Sequence, residues 1–271
     1  MAYYALLDYD GYVCKAYFAA KARGALDTAW QILTDLTIAA RDKAEEYFNS
    51  KVEMRWFMSG HTWKKDAFNT YKASRVKDPE LKEFRDEVLA EEGIIKSKYL
   101  EADDLINMCV DYLDVTDDRD NYIVFSDDKD LHAVAKRYCK INLKEEVQRN
   151  EEPRIMLFAQ MLAGDKEDDV TGIPKVGLKT AYKLLGGTPS LEKVVEVYKE
   201  KGFDRDYAKK NILLIKPMGM QMNEYPLSIM YLAGNILLLD ELDDDVTPDG
   251  IKGEEVYLNK ILDKIYNKEE Q

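Results

Sequence analysis

The feature that most constrains this chain is the alternation of short apolar runs with long helix-like stretches. "YYALL" (3–7), "VEMRWFM" (52–58), "YIVF" (122–125) and "INL" (141–143) are brief and rich in aromatic and branched side chains, as buried strands are. Between the first two lies 25–48, where Trp30, Leu33, Leu36 or Thr37, Ala40 and Ala44 recur at helical spacing. Strands alternating with helices predict an α/β fold with a parallel, doubly wound sheet. In such sheets ligands bind beyond the carboxyl ends of the strands. A length of 271 residues fits one large α/β domain with a smaller appendage.

Acids gather where that rule puts ligands. "LLDYD" (6–10) ends the first run, "YLEADDL" (99–105) opens a helix, "FSDDKDL" (125–131) ends the third run, and "AGDKEDD" (163–169) follows a helix at 154–164. A lone acidic doublet at an element's end is usually a cap or turn. Four on one sheet edge repel one another unless something cationic sits among them. Hard cations such as Mg²⁺ take oxygen ligands, and two ions about 4 Å apart can clamp both oxygens of a phosphodiester displacement. His61 and His132 have no serine or cysteine triad around them, and no Walker A, GxGxxG or EF-hand loop occurs.

The formal charge of −13 argues against nucleic acid as a partner only if it is spread evenly. Residues 62–77, "TWKKDAFNTYKASRVK", carry Lys64, Lys65, Lys72, Arg75 and Lys77 against Asp66 alone. The stretch "PKVGLKTAYK" (174–183) carries Lys175, Lys179 and Lys183 and no acid. With 46% hydrophobic and 34% charged residues, no apolar run long enough to span a membrane and no signal-peptide pattern at the start, the expectation is a cytoplasmic globular protein. Cys14, Cys109 and Cys139 are odd in number and far apart, which predicts reduced thiols. Beyond about residue 150 the chain turns helical, with segments at 154–164, 171–187, 190–201 and 205–215. The run "DELDDDVTPDG" (240–250) reads as a solvated acidic loop.

The ordered set "LLDYDGYVCKAYFA", "WFMSGHTWKKDAFNTYKASR", "LEADD", "FSDDKDL" and "LAGDKEDDVTGIPKVGLKTA" resembles the 5′-nuclease superfamily. Within it the chain is similar to the bacteriophage 5′→3′ exonucleases and flap endonucleases and to the 5′-nuclease domain of bacterial DNA polymerase I. The resemblance runs from about residue 5 to 187, with a weaker echo at "NILLLDEL" (235–242). It implies a PIN-like domain over 1–153, with a mostly parallel sheet flanked by helices and a helical arch near 62–95. A helical region over 154–271 follows, with a helix-hairpin-helix element near 171–187. The implied activity is a two-metal, structure-specific 5′ nuclease on DNA with 5′ ends, flaps or nicks, and on RNA:DNA hybrids, acting as a monomer away from membranes. A junction-binding protein without catalysis and a PIN-type ribonuclease are the alternatives.

Carried over by position, Asp8, Glu101 and Asp103, with Asp104 close by, would hold a first Mg²⁺. Asp128, Asp130, Asp165 and Asp168 would hold a second, and Mn²⁺ would substitute. Asp10 and Asp127 would flank. Lys72 and Arg75 would contact the scissile phosphate. Lys64, Lys65, Gly172, Lys175, Gly177, Lys179 and Lys183 would meet DNA, and the hairpin turn would take K⁺. The amphipathic segment "DPELKEFRDEVLAEEG" reads equally as arch or as ordinary surface helix. One departure stands out: where the family has an aspartate after the second strand, this chain has Ser59.

Overall fold

The computed structural model describes residues 2–75, 77–116, 121–150, 154–187, 189–218, 227–238 and 242–267. Strand β1 (Tyr4–Asp8) leads into α1 (Tyr9–Ala22) and α2 (Ala29–Phe48), then β2 (Glu53–Phe57). Helices α3 (Trp63–Ala67) and α4 (Pro79–Leu89), strand β3 (Ile94–Ile95) and helix α5 (Ala102–Val115) follow. Strand β4 (Tyr122–Phe125), helix α6 (Lys129–Val134) and strands β5 (Arg137–Cys139) and β6 (Gln148–Arg149) complete the sheet. Its order is β3-β2-β1-β4-β5-β6. Every neighbouring pair is parallel except β5–β6.

β1 and β4 are buried on both faces, as central strands of a parallel sheet must be when helices cover each side. Because side chains alternate across a strand, Tyr4 and Leu6 pack with Tyr122, Val124 and the α5 residues Leu105 and Cys109. Ala5, Leu7, Ile123 and Phe125 face the other way, onto α1 and α2 through Val13, Leu33 and Ala40. Each such large side chain stabilises the fold by about 1.5–3 kcal/mol through burial.

The second half is helical: α7 (Ile155–Ala163), α8 (Leu178–Leu185), α9 (Leu191–Glu200), α10 (Arg205–Ile215), α11 (Leu227–Leu238) and α12 (Thr247–Tyr266). The boundary expected at 153 lies outside the described residues. The core runs across it, for Leu157, Met161, Val194, Leu232 and Leu262 share one cluster with the α5 face of the sheet.

Two local expectations need correction, at "INL" and in the acidic run. "INL" is not a strand: β5 ends at Cys139, and the Ile141 N–H is taken by the Asp127 carboxylate at 3.0 Å, which removes it from any ladder. The described part of 62–95, where the resemblance implies a helical arch, is α3, a run of turns and α4, and α4 buries Phe84 and Val88 against α1 and α2, with Phe84 edge-on to Trp30. In the acidic run, 239–241 lies outside the described residues. Asp244 is held as a tether, accepting from Ser97 Oγ at 2.6 Å and from the Lys98 N–H at 3.2 Å, and α12 begins at Thr247. The three cysteines are free thiols, Cys109 and Cys139 buried.

Candidate active site

Most of the acids reach the carboxyl edge of the sheet because they end a strand or begin a helix there. Asp8 ends β1 and caps α1, accepting the Gly11 N–H at 3.3 Å. Asp128 caps α6 by accepting the Asp130 N–H at 2.7 Å. Glu101 immediately precedes α5, whose first turn carries Asp103. Helix N-termini favour negative charge, so local structure offsets part of the repulsion. Asp165 and Asp168 come from the loop after α7, folded back by an Asp165–Val170 bridge. These seven carboxylates line one cleft of about 410 Å³, together with Asp10, Glu167, Lys65, Lys72, Arg75, Arg85 and Lys129.

Crowding appears in the proton affinities. Burial, then the charges of Asp10 and Asp128, pushes Asp8 up to about 7, although Ser126 Oγ donates to it at 2.7 Å. Asp103 is held well above the carboxylate range by burial and by Asp128 and Asp8. Burial and Asp128 push Asp130 up to about 6. Glu101 goes the other way: burial raises it, but Lys72 at 2.6 Å, Lys64 and the Tyr71 hydroxyl at 2.7 Å together hold it below its usual value. Asp165 is likewise lowered against burial, by Lys129 at 3.0 Å and the Glu167 N–H.

Cations bridge the acids. Lys72 Nζ spans Glu101 and Asp168 (3.6 Å), and Arg75 binds Asp168 at 2.8 Å. Lys129 spans Asp165, Asp130 and Glu167. Lys72 has φ +52°, sparsely populated for a non-glycine residue. Its N–H donates to the Asp168 carbonyl at 3.1 Å, fixing the turn that aims the side chain inward. Among the described residues, no three His, Cys, Asp or Glu side chains form a ready-made metal group. The donor chemistry nonetheless suits a hard cation: the acidic groups are all oxygen donors, and two of them are driven towards protonation by burial and then by neighbouring carboxylates.

Several expected residues lie elsewhere. Asp104 does not line the cleft. It is 1% exposed and accepts from the Met218 N–H at 2.9 Å and the Glu101 N–H at 3.3 Å, with Lys64 at 3.6 Å. Lys64 is itself 4% exposed, so it neutralises Asp104 and Glu101 from behind and cannot meet DNA. Asp127 pairs with Lys15 outside the cleft. Ser59 does line the cleft, but its hydroxyl oxygen accepts from the Ala102 N–H at 3.0 Å. The sequence reading missed Tyr71, Lys129, Arg85 and Ser126 as cleft partners. Tyr71 and Lys129 sit inside the quoted motifs, whereas nothing local marks Arg85.

No family model matches the chain. Over 160 residues it is 30% identical to a 5′-3′ exonuclease of Bacillus subtilis (strain 168), a match covering 52% of this chain and 53% of that one. The chain spans about half the length of the curated exonucleases it matches. Its fold aligns with the bacteriophage T5 protein co-crystallized with metal ions at a TM-score of 0.55 and 12% identity, over 97% of this chain and 98% of that one. The T5 flap endonuclease in a pseudo-enzyme–product complex with DNA and metal ions aligns at 0.51 and 13%, over 99% of each chain. The chain is thus similar in sequence to a protein named 5′-3′ exonuclease and in fold to the T5 proteins.

The segment 171–187, where the resemblance implies a hairpin, consists of the turn after α7 followed by α8. Gly172 has φ +63°, and a Cβ there would lie 2.3 Å from the Ala163 backbone. Its carbonyl accepts from the Tyr207 hydroxyl at 2.6 Å. Close packing of the turn on α7 is thus what requires this glycine. Gly177, by contrast, is exposed, has ordinary backbone angles and meets nothing within 4 Å, so its N–H at the start of α8 is approachable. Lys175, Lys179 and Lys183 are exposed on this element, as is Lys65 at the cleft. Among the described residues no helix is long and apolar enough to cross a membrane.

Proposed function

We propose that the protein is a metal-dependent, structure-specific 5′ nuclease that hydrolyses DNA phosphodiesters near 5′ ends, at flaps or at nicks, as a monomer. The observation that carries this reading is the meeting of seven carboxylates from four chain segments in one cleft with Lys72 and Arg75. The similar chains named 5′-3′ exonuclease and the structures named for metal ions and DNA support it.

Asp8, Glu101 and Asp103 would hold one divalent ion and Asp128, Asp130, Asp165 and Asp168 a second. Mg²⁺ is the proposed ion and Mn²⁺ its substitute, and bound there they supply the Lewis acidity for attack of water on phosphorus. This chain's own groups position and neutralise. Lys72 and Arg75 exchange carboxylate partners for the oxygens of the scissile phosphate and stabilise the charge that develops there. Arg75, whose side chain is 56% exposed, is free to turn towards an entering strand. Tyr71 donates to both Glu101 and Asp168 (3.1 Å) and holds the two halves of the cleft in register. Lys175, Lys179, Lys183 and the Gly177 N–H would grip duplex phosphates, which position without reading sequence. The hairpin turn, by its likeness to the family's sequence, is the proposed site of K⁺.

The test is cleavage of end-labelled flap, nicked duplex and RNA:DNA substrates with Mg²⁺, with Mn²⁺ and with EDTA. The expected result is metal-dependent release of products from the 5′ side, bearing 5′-phosphates. Retained binding to branched DNA without cleavage under any condition would mark a junction-binding protein instead.

A further inference from the structure

Asp10 enters the cleft from an unexpected place, the second residue of α1 rather than a strand end. Its Oδ2 accepts the Ser59 N–H at 2.7 Å, and its Oδ1 takes Arg85 Nε at 2.8 Å. The other arm of Arg85 reaches the Ser59 carbonyl. The Ser59 hydroxyl is already engaged by the Ala102 N–H at 3.0 Å. The end of β2 therefore contributes no anionic oxygen of its own, and the carboxylate standing over it is Asp10.

Arg85 arrives from α4, which is anchored independently of the sheet edge by Phe84 and Val88 against α1 and α2. The guanidinium is thus delivered to Asp10 by packing elsewhere. The pair is partly open to water, at 27% and 24% exposed, and such pairs are weak and exchangeable. A doubly charged hard ion competes well for a carboxylate held only in this way.

Resting on the divalent-ion reading above, we infer that Asp10 is a further cation-binding carboxylate of this cleft, completing the side that carries Asp8, Glu101 and Asp103. Arg85 is its resident counter-ion, displaced when the divalent cation binds. Affinity is then set by a competition built into the chain: Asp10 draws the ion in, and Arg85 opposes it and weakens binding.

The experiment is titration of the full chain with MnCl₂, reading free Mn²⁺ by electron paramagnetic resonance, without DNA or turnover. Asp10→Asn should weaken the tighter binding by about 10- to 100-fold, the range for losing a carboxylate that supports a metal. Arg85→Gln should tighten it by about tenfold, from removal of a nearby like charge. In Asp10→Ala, adding Ser59→Asp should restore binding, because residue 59 lines the same cleft and its backbone N–H lies against the Asp10 carboxylate. Wild-type protein that binds Mn²⁺ while Asp10→Asn binds equally well would overturn the assignment of Asp10. Weaker binding by Arg85→Gln would overturn the competition, and that variant keeps the idea testable if Asp10 variants do not fold. Wild-type protein that binds no Mn²⁺ at millimolar concentration would bring down the divalent-ion reading itself.

Discussion

Lys72 Nζ lies 2.6 Å from Glu101 Oε1, with both side chains about nine-tenths buried, so one ammonium ties the start of α5 to the turns after α3. Replacing Lys72 with Met leaves Glu101 to Tyr71 and Lys64 alone. The expected cost is about 3 kcal/mol at neutral pH, as for breaking a buried pair. Glu101 is lowered in the folded state, so the stability it contributes is present above its unfolded pKa and lost as pH falls through the folded one. The difference between wild type and Lys72→Met in urea melts should therefore shrink below about pH 4. Cleavage should fall by about 10²–10³, as when a transition-state donor is removed.

The raised acids have the opposite sign. Asp8 at about 7 and Asp130 at about 6 bind protons more tightly folded than unfolded. Their contribution is complete below the unfolded carboxylate pKa and lost as pH rises through 6 and 7. In EDTA the melting temperature should rise as pH falls from about 8 to about 5, a gain on the order of a few kcal/mol. Asp8→Asn should flatten the profile. A melting temperature that drops steadily over that window would show that these carboxylates do not repel one another.

Behind the cleft, Arg154 donates to fully buried Asp111, which also accepts from Asn107 Nδ2 at 3.1 Å. Arg154→Ala should destabilise by about 3–5 kcal/mol by stranding a buried charge. Adding Asp111→Asn should recover much of that loss, as measured by chemical denaturation.

On α8, Lys179→Ala together with Lys183→Ala should weaken duplex binding and lower its salt slope by about one unit for each phosphate that is no longer neutralised. Cleavage at saturating substrate should hardly change. A large loss of turnover with intact binding would move the hairpin into the chemistry.

Gly172→Ala should destabilise by about 2 kcal/mol or more, since its φ of +63° strains any side chain and the added methyl meets backbone rather than a yielding side chain. Gly177→Ala should be nearly neutral by the same measurement.

The sequence by itself determined the strand-and-helix alternation, the parallel sheet and the carboxyl edge on which Asp8, Glu101, Asp103, Asp128 and Asp130 meet. All of these follow from local periodicity and from a topology that sends strand ends to one side. It also marked the basic stretch 62–77, within which the family resemblance, not composition, singled out Lys72 and Arg75. Tertiary structure decided what local pattern does not encode. Asp104 and Asp103 are adjacent in sequence, yet the rotation of about 100° between neighbouring helical residues sends the first to Met218 and the second into the cleft. Lys64 and Lys65 part in the same way, one buried behind the acids and one exposed at the cleft. The pairing of Asp10 with Arg85 joins residues 75 apart in sequence. It exists only because Phe84 and Val88 dock α4 on α1, and burial of that apolar face is a property of the folded surface that receives it, not of the segment that carries it.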